Sequence, residues 1–250
     1  MKIISLNTWG GKIFEPLIAF LKNNASDTDI FCFQEVLAGG SGKTSRGEMK
    51  SLYEDMGHIL INYSGYFSEY GEGGYYSESS KNLDFKYGIA TFVKKEHEQD
   101  FFGSITLYDS DKKWNDYDGR FAAGASMAIN VLDFAVINVH GMWQEVGKKD
   151  TEARIEQSRR IISLVSKTKG GKIICGDFNL KPDTESIKIL EQSMTNLVKK
   201  FEITSTRSSL YTKPEKFADY IFVSPEIKVN SFEVLRDEVS DHLPLLLESK

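Results

Sequence analysis

The sequence is poor in cysteine, in excess positive charge and in long apolar runs. Only Cys32 and Cys175 occur among 250 residues, each inside an apolar stretch (DIFCFQEV and GKIICGDFN). A cysteine so placed behaves as a small buried hydrophobe, so a disulfide framework is excluded and both thiols are expected to be reduced. The 31 Lys and Arg are outnumbered by 36 Asp and Glu, for a net charge of −5. This is not the basic footprint of proteins that grip nucleic acid through its backbone, so any such role must rest on a local site. No apolar run approaches the roughly 18 residues that would cross a bilayer. Met1 leads straight into the strand-like KIISLN, without the segments of a secretory leader. A cytoplasmic protein without a membrane span, acting as a monomer, is the expectation.

With 40% of residues apolar, the chain can bury a sizeable core, and disordered, collagen-like and coiled-coil classes are excluded. Short β-rich runs recur from end to end: KIISLNTW, DIFCFQEV, GIATFVKK, SMAINVLDFAVINVHG, GKIICGDFN, ADYIFVSP and PLLLES. The pair SMAINVL and FAVINVH around Leu132-Asp133 reads as a hairpin, which favours a mixed or antiparallel sheet. Helical spacing predicts a helix over Phe14 to Asn24. It predicts a second over Thr151 to Ser166 with Ile155, Ile162 and Val165 inward, and a third over about Thr184 to Lys200. Ala38 to Gly47 and Ser64 to Asn82 read as long loops, the latter aromatic and acidic. Without a repeat or a linker between two cores, residues 1–250 are expected to form one domain.

The chemistry lies where polar residues meet strand ends. Asn7 ends the first strand and Gln34-Glu35 the second. Asn138 and His140 end another, Asp177 and Asn179 follow KIIC, Asp219 opens YIFV, and Asp241-His242 precedes the last strand. Each alone is an ordinary turn, cap or structural residue. Together, one Glu, three Asp, three Asn and two His at one rim are the parts of metal-assisted hydrolysis. Oxygen ligands suit a hard divalent cation, a carboxylate and an amide can orient water, and a histidine can stabilise or protonate what leaves.

Leu6-Asn7-Thr8-Trp9, Phe33-Gln34-Glu35-Val36, Asn138-Val139-His140, Gly176-Asp177-Phe178-Asn179, Asp219-Tyr220 and Ser240-Asp241-His242-Leu243-Pro244 resemble, in order, the motifs of the endonuclease/exonuclease/phosphatase (DNase I-like) superfamily. The resemblance runs from Asn7 to Pro244. It implies an α/β fold, a four-layered α/β sandwich of two packed mixed β-sheets flanked by helices, and a phosphoesterase dependent on Mg²⁺ or Mn²⁺. By the same resemblance Glu35 is the main metal ligand, with Asn7 and Asp241 near the ion. Asp177 and Asn179 orient the attacking water, and His242, held by Asp219, faces the phosphate. His140 serves the phosphate or the leaving group, and Arg120 resembles an arginine that some relatives place on substrate phosphate. Some relatives orient the residue at position 140 with an acidic side chain, for which Asp84 is the candidate. Thr8-Trp9-Gly10-Gly11 and Gly141-Met142-Trp143 depart from the abasic-site endonucleases, which disfavours that repair activity.

Three other features are weaker. Gly39-Gly40-Ser41-Gly42-Lys43-Thr44 ends like a phosphate-binding loop, but the first glycine of that motif would fall on Leu37. It reads as a flexible loop beside Glu35, from which Lys43, Arg46 and Lys50 offer positive charge. Trp143 can stack on a base, although packing at the sheet rim is its commoner use. Lys148, Lys149, Arg154, Arg159 and Arg160 alternate with acids and read as a solvated helix face. The expected activity is hydrolysis of a phosphodiester by metal-activated water, with DNA or RNA as substrate. The alternative is a phosphatase or phospholipase C-like diesterase acting on a small or lipid head-group ester.

Overall fold

The computed structural model describes residues 1–70, 84–107, 121–122 and 124–250, with Phe121 and Ala122 described by their backbone alone. In chain order the elements are β1 (Lys2–Asn7), α1 (Phe14–Asn24), β2 (Ile30–Ala38), α2 (Leu52–Ile59), β3 (Tyr63–Glu69), β4 (Lys86–Lys94) and β5 (Gln99–Thr106). Then come β6 (Phe121–Ala122), β7 (Ala125–Val131), β8 (Phe134–His140), β9 (Trp143–Gln144), α3 (Glu152–Lys167) and β10 (Gly171–Asp177). The chain closes with α4 (Glu185–Glu191), β11 (Thr195–Asn196), α5 (Leu197–Lys200), β12 (Asp219–Val223), β13 (Val229–Val234) and β14 (Leu245–Ser249).

Two six-stranded mixed sheets result, in the orders β13-β14-β1-β2-β4-β3 and β11-β12-β10-β8-β7-β5. Strand alternation builds the layers. Ile3, Ile30 and Cys32 point into one core with Val136, Ile173 and Cys175 of the opposite sheet. Their neighbours Ile4, Leu6, Phe31 and Phe33 point outward, under Leu17 and Leu21 of α1 and Leu52 and Met56 of α2. On the far side, Ile161 and Leu164 of α3 and Ile187 and Leu190 of α4 cover the second sheet. Each such aliphatic or aromatic side chain contributes about 1.5–3 kcal/mol by leaving water. Cys32 and Cys175 are free and buried, and burial raises the Cys32 thiol pKa well above its usual value. Among the described residues, no helix is long and apolar enough to cross a membrane.

Each sheet contains one parallel pair, β1 with β2 and β8 with β10. Parallel neighbours end at the same edge, so Asn7 comes level with Gln34 and His140 with Asp177. Antiparallel β12 begins there too, placing Asp219 opposite Asp177. Gly176, at φ +139, lets β10 come this close, because a Cβ there would strike the Val139 carbonyl oxygen.

Several expectations are corrected. The third predicted helix is broken: α4 stops at Glu191, Thr195 and Asn196 pair with Val223 and Phe222, and α5 restarts with Asn196 accepting the Lys199 N–H. The apolar positions still face inward, so their periodicity hid the break. In α3 the buried face carries Arg154, Gln157, Ser158, Ile161, Leu164 and Val165, while Ile155 and Ile162 are half-buried. The supposed loop over Ser64 to Asn82 begins as strand β3, and its part over 71–82 lies outside the described residues. The Ala38–Gly47 segment folds back on itself: Lys50 donates to Gly42 O at 3.0 Å, and the Thr44 hydroxyl to Glu48 at 2.8 Å.

Candidate active site

The site forms where the matching edges of the two sheets meet. β2 delivers Glu35 through a bulge. Pairing with β4 shifts register between Phe33 and Val36, and Glu35 takes φ +54, which breaks the alternation that would have sent its side chain under the helices. Gln34, still in register, points between the sheets and donates to Asn138 Oδ1 at 2.7 Å. The Asn138 amide in turn donates to Phe33 O at 3.1 Å and Ala90 O at 2.9 Å. Asn138 is therefore a buried tie between sheets rather than a group facing substrate.

Asn7 joins the two halves. Its Nδ2 donates to Glu35 Oε1 at 3.1 Å and to Asp177 Oδ2, on the opposite sheet, at 3.1 Å; its Oδ1 accepts the Trp9 N–H at 3.0 Å. The Tyr87 hydroxyl donates to Glu35 Oε2 at 3.1 Å. The Glu35 and Asp241 side chains remain 18% and 12% exposed, against 2% for Asp177 and 5% for Asp219. Carboxylates open to water beside sealed ones suit a cation that arrives hydrated and keeps part of its water.

Two histidines flank Asp177. His242 Nδ1 lies 2.8 Å from Asp219 Oδ1, and its Nε2 lies 3.5 Å from Asp177 Oδ2. Thr206 anchors Asp219 by donating to its Oδ2 at 2.9 Å. Burial and the Arg207 cation oppose charge on His242, but Asp219, Asp241 and Asp177 outweigh them and its pKa lies above the ordinary histidine value. His140 differs. Burial lowers its pKa despite Asp177 and Glu35, and its buried Nε2 has no hydrogen-bond partner among the described residues, lying 3.8 Å from Glu35 Oε1 and 3.9 Å from Asp177 Oδ2. Burial also works against charge on Asp177, yet Lys148, His242, His140 and Arg207 hold its pKa well below the usual carboxylate range. Asn179, at φ +55, turns its backbone N–H onto Asp177 Oδ1 at 2.7 Å.

Of the residues named from sequence, Asn7, Glu35, His140, Asp177, Asn179, Asp219, Asp241 and His242 are thus brought together. Trp143 is half-buried in β9, which pairs with β6, and Arg120 lies outside the described residues. Asp84 does not reach His140: it is exposed and bound by Lys50 at 2.8 Å. The partner of His140 Nδ1 is Tyr70 Oη, at 2.6 Å. Arg46 is likewise engaged by Glu48 at 2.9 Å.

Four site residues escaped the sequence reading: Tyr70, Tyr87, Lys148 and Arg207. Arg207 packs on the Tyr211 ring, 4.0 Å from its centroid, reaches Asp241 Oδ2 at 3.3 Å and abuts His242 Nε2. Lys148 and Arg154, assigned to a solvated face, are buried. Arg154 donates to the carbonyls of Gly147, Lys149 and Met142, shaping the loop that carries Lys148. Burial brings the Arg154 pKa down to about 10. Only the cluster of basic residues on and before α3 signalled Lys148 and Arg154, and nothing in the sequence marked Arg207.

No curated protein matches the sequence. Among solved structures, an endonuclease/exonuclease/phosphatase family protein from Bacteroides thetaiotaomicron aligns over 100% of this chain and 94% of its own, with 20% identity and a TM-score of 0.70. A mannosyl-6-phosphatase from the same organism aligns over 100% and 99%, with 20% identity and a TM-score of 0.69. The catalytic domain of human Nocturnin, with bound sulfate, aligns over 100% and 94%, with 18% identity and a TM-score of 0.65. At these identities the likeness is one of fold. Residues 4–242 match the model of the Endonuclease/Exonuclease/phosphatase family, and the chain belongs to that family.

Proposed function

We propose that this protein, acting as one domain over residues 1–250, is a divalent-metal-dependent hydrolase of phosphodiesters, with nucleic acid as the first candidate substrate. The observation that carries the reading is the junction of the two half-sites, in which one Asn7 amide bridges Glu35 on one sheet and Asp177 on the other. The residues fit a hard cation. Glu35 and Asp241 offer carboxylate oxygens still open to water, and Asn7 Oδ1 keeps a second lone pair. When bound, Mg²⁺ or Mn²⁺ would supply Lewis acidity and lower the pKa of a bound water.

The chain's own groups account for the rest. Asp177, held as an anion among four positive or potentially positive side chains, orients the attacking water together with Asn179. His242, held by Asp219, presents Nε2 to the phosphoryl oxygens, and Arg207 beside it neutralises their charge. His140 aims its Nε2 between Glu35 and Asp177, where it can donate to the phosphate or the leaving group. No covalent intermediate is needed.

The net charge of −5 and the pairing of Arg46 and Lys50 with acids favour the second reading, a small or head-group phosphate ester. A substrate panel of single- and double-stranded DNA, RNA, sphingomyelin, inositol phosphates, a sugar phosphate and a chromogenic diester, each with Mg²⁺ and with chelator, tests both. Cleavage of nucleic acid that falls steeply with added salt supports the nuclease. Salt-tolerant turnover of a small ester alone supports the second reading, and no metal-dependent hydrolysis refutes both.

A further inference from the structure

Lys148 stands in the loop between β9 and α3, and that loop is fixed at both ends. The buried Arg154 guanidinium binds the carbonyls on either side of it, and its own carbonyl accepts the Lys181 N–H at 3.1 Å. The side chain turns inward, is 7% exposed as a residue, and donates from Nζ to Asn179 Oδ1 at 3.0 Å. Burial brings the Lys148 pKa down to about 8, with the Asp177 charge acting the other way, the mark of an ammonium held out of water beside a carboxylate.

The effect on Asn179 follows from donor counting. A primary amide has one oxygen acceptor and two N–H donors. Here the oxygen takes the ammonium, and Nδ2 gives one proton to Gly141 O at 3.1 Å. Flipping the amide would set donor against donor at Lys148 and oxygen against oxygen at Gly141. One orientation survives, with a second Nδ2 proton that has no acceptor among the described residues, on a residue whose backbone N–H binds Asp177 Oδ1.

We propose that Lys148 is a positioning residue for hydrolysis: by holding Asn179 Oδ1 it locks the amide so that the remaining Nδ2 proton is presented to the attacking water that Asn179 and Asp177 orient. This rests on the hydrolytic reading above. Lys148 has no hydroxyl or carboxylate chemistry to contribute, and its position behind Asn179 sets it apart from the groups that face the metal-binding carboxylates.

The experiment is a double-mutant cycle on the full chain with the best ester from the panel, backed by Mn²⁺ titration calorimetry. Lys148→Met is expected to lower kcat on the order of 10- to 100-fold with KM and Mn²⁺ affinity nearly unchanged, as for the loss of one charged hydrogen bond. Asn179→Ala should lose at least as much, and the double variant should be no slower than Asn179→Ala alone, because Lys148 acts through that amide. Additive losses, or full kcat in Lys148→Met, would overturn the proposal. Should Lys148→Met not fold, Lys148→Arg serves, with the Asn179 side-chain amide followed by NMR. Displaced Nδ2 proton resonances support the positioning role and unmoved ones refute it. If the wild-type hydrolyses no ester, the hydrolytic reading fails by itself, while the amide resonances still report whether Lys148 holds Asn179.

Discussion

Tyr70 Oη lies 2.6 Å from Nδ1 of His140 and accepts the backbone N–H of Glu35 at 3.1 Å. One phenol thereby sits between a strand of each sheet, in the role for which the sequence offered Asp84. A neutral phenol cannot stabilise an imidazolium as a carboxylate does, in keeping with the lowered pKa of His140. Tyr70→Phe should cost about 1 kcal/mol of stability and roughly tenfold in kcat, from the loss of a buried hydrogen bond. Thermal unfolding and steady-state kinetics check this, and an unchanged kcat would show that His140 needs no such partner.

Glu35 and Asp177 carry the heaviest predicted losses. Glu35→Ala and Asp177→Ala should each lower kcat/KM on the order of 10³-fold or more. The Glu35 variant should also lose Mn²⁺ affinity in calorimetry. Chelator should abolish wild-type turnover and added Mg²⁺ or Mn²⁺ restore it; full activity in either variant would sink the assignment.

Asp219→Asn preserves the shape around His242 and removes the charge that holds its Nδ1. A loss between about 10² and 10⁴ in kcat is expected, the upper figure being the loss in the serine-protease triad when the carboxylate that fixes the histidine tautomer becomes an amide. Far-ultraviolet circular dichroism must be unchanged for the comparison to count.

Asp177 also links stability to pH. Its folded-state pKa is lowered, so as pH falls the unfolded chain takes up its proton first, near pH 4, and the stabilisation present above that pH is lost. Urea unfolding in chelator should show Asp177→Asn destabilised relative to wild-type at pH 6, with the gap closing towards pH 3. A gap that widened as pH fell would contradict this sign.

Arg154→Met strands three backbone carbonyls and should cost about 3 kcal/mol or more, or roughly 10 °C in Tm. Arg159→Met, on the exposed face of the same helix, should change stability by no more than about 0.5 kcal/mol. Equal effects in both would place Arg154 on the solvated face after all.

The layered fold was legible because strand alternation and helical spacing report burial, and because Glu35, Asp177 and His242 sit in short runs with strong local character. Lys148 and Arg154 were misread for a physical reason. Charge alternation along α3 is also what a helix shows when one of its cations is turned inward and held by carbonyls, and those carbonyls are backbone atoms without a sequence signature. Tyr70 lies 70 residues from His140, and only the pairing of β3 with β4 and the packing of the two sheets bring them together. The break between α4 and α5 was invisible because its apolar residues keep facing the core.

The Gln34–Asn138 hydrogen bond at 2.7 Å works as an indexing pin. Half of the candidate site residues ride on each sheet, and apolar contact, being non-directional, fixes a sliding position less sharply than a hydrogen bond does. A slip of a single strand residue, about 3.3 Å, would carry Glu35 out of reach of Asp177. It would also strand two buried amides without partners, a penalty of several hydrogen bonds in a dry interior. Alignment of the reacting groups is thus set deep inside the sandwich, and the rim inherits it.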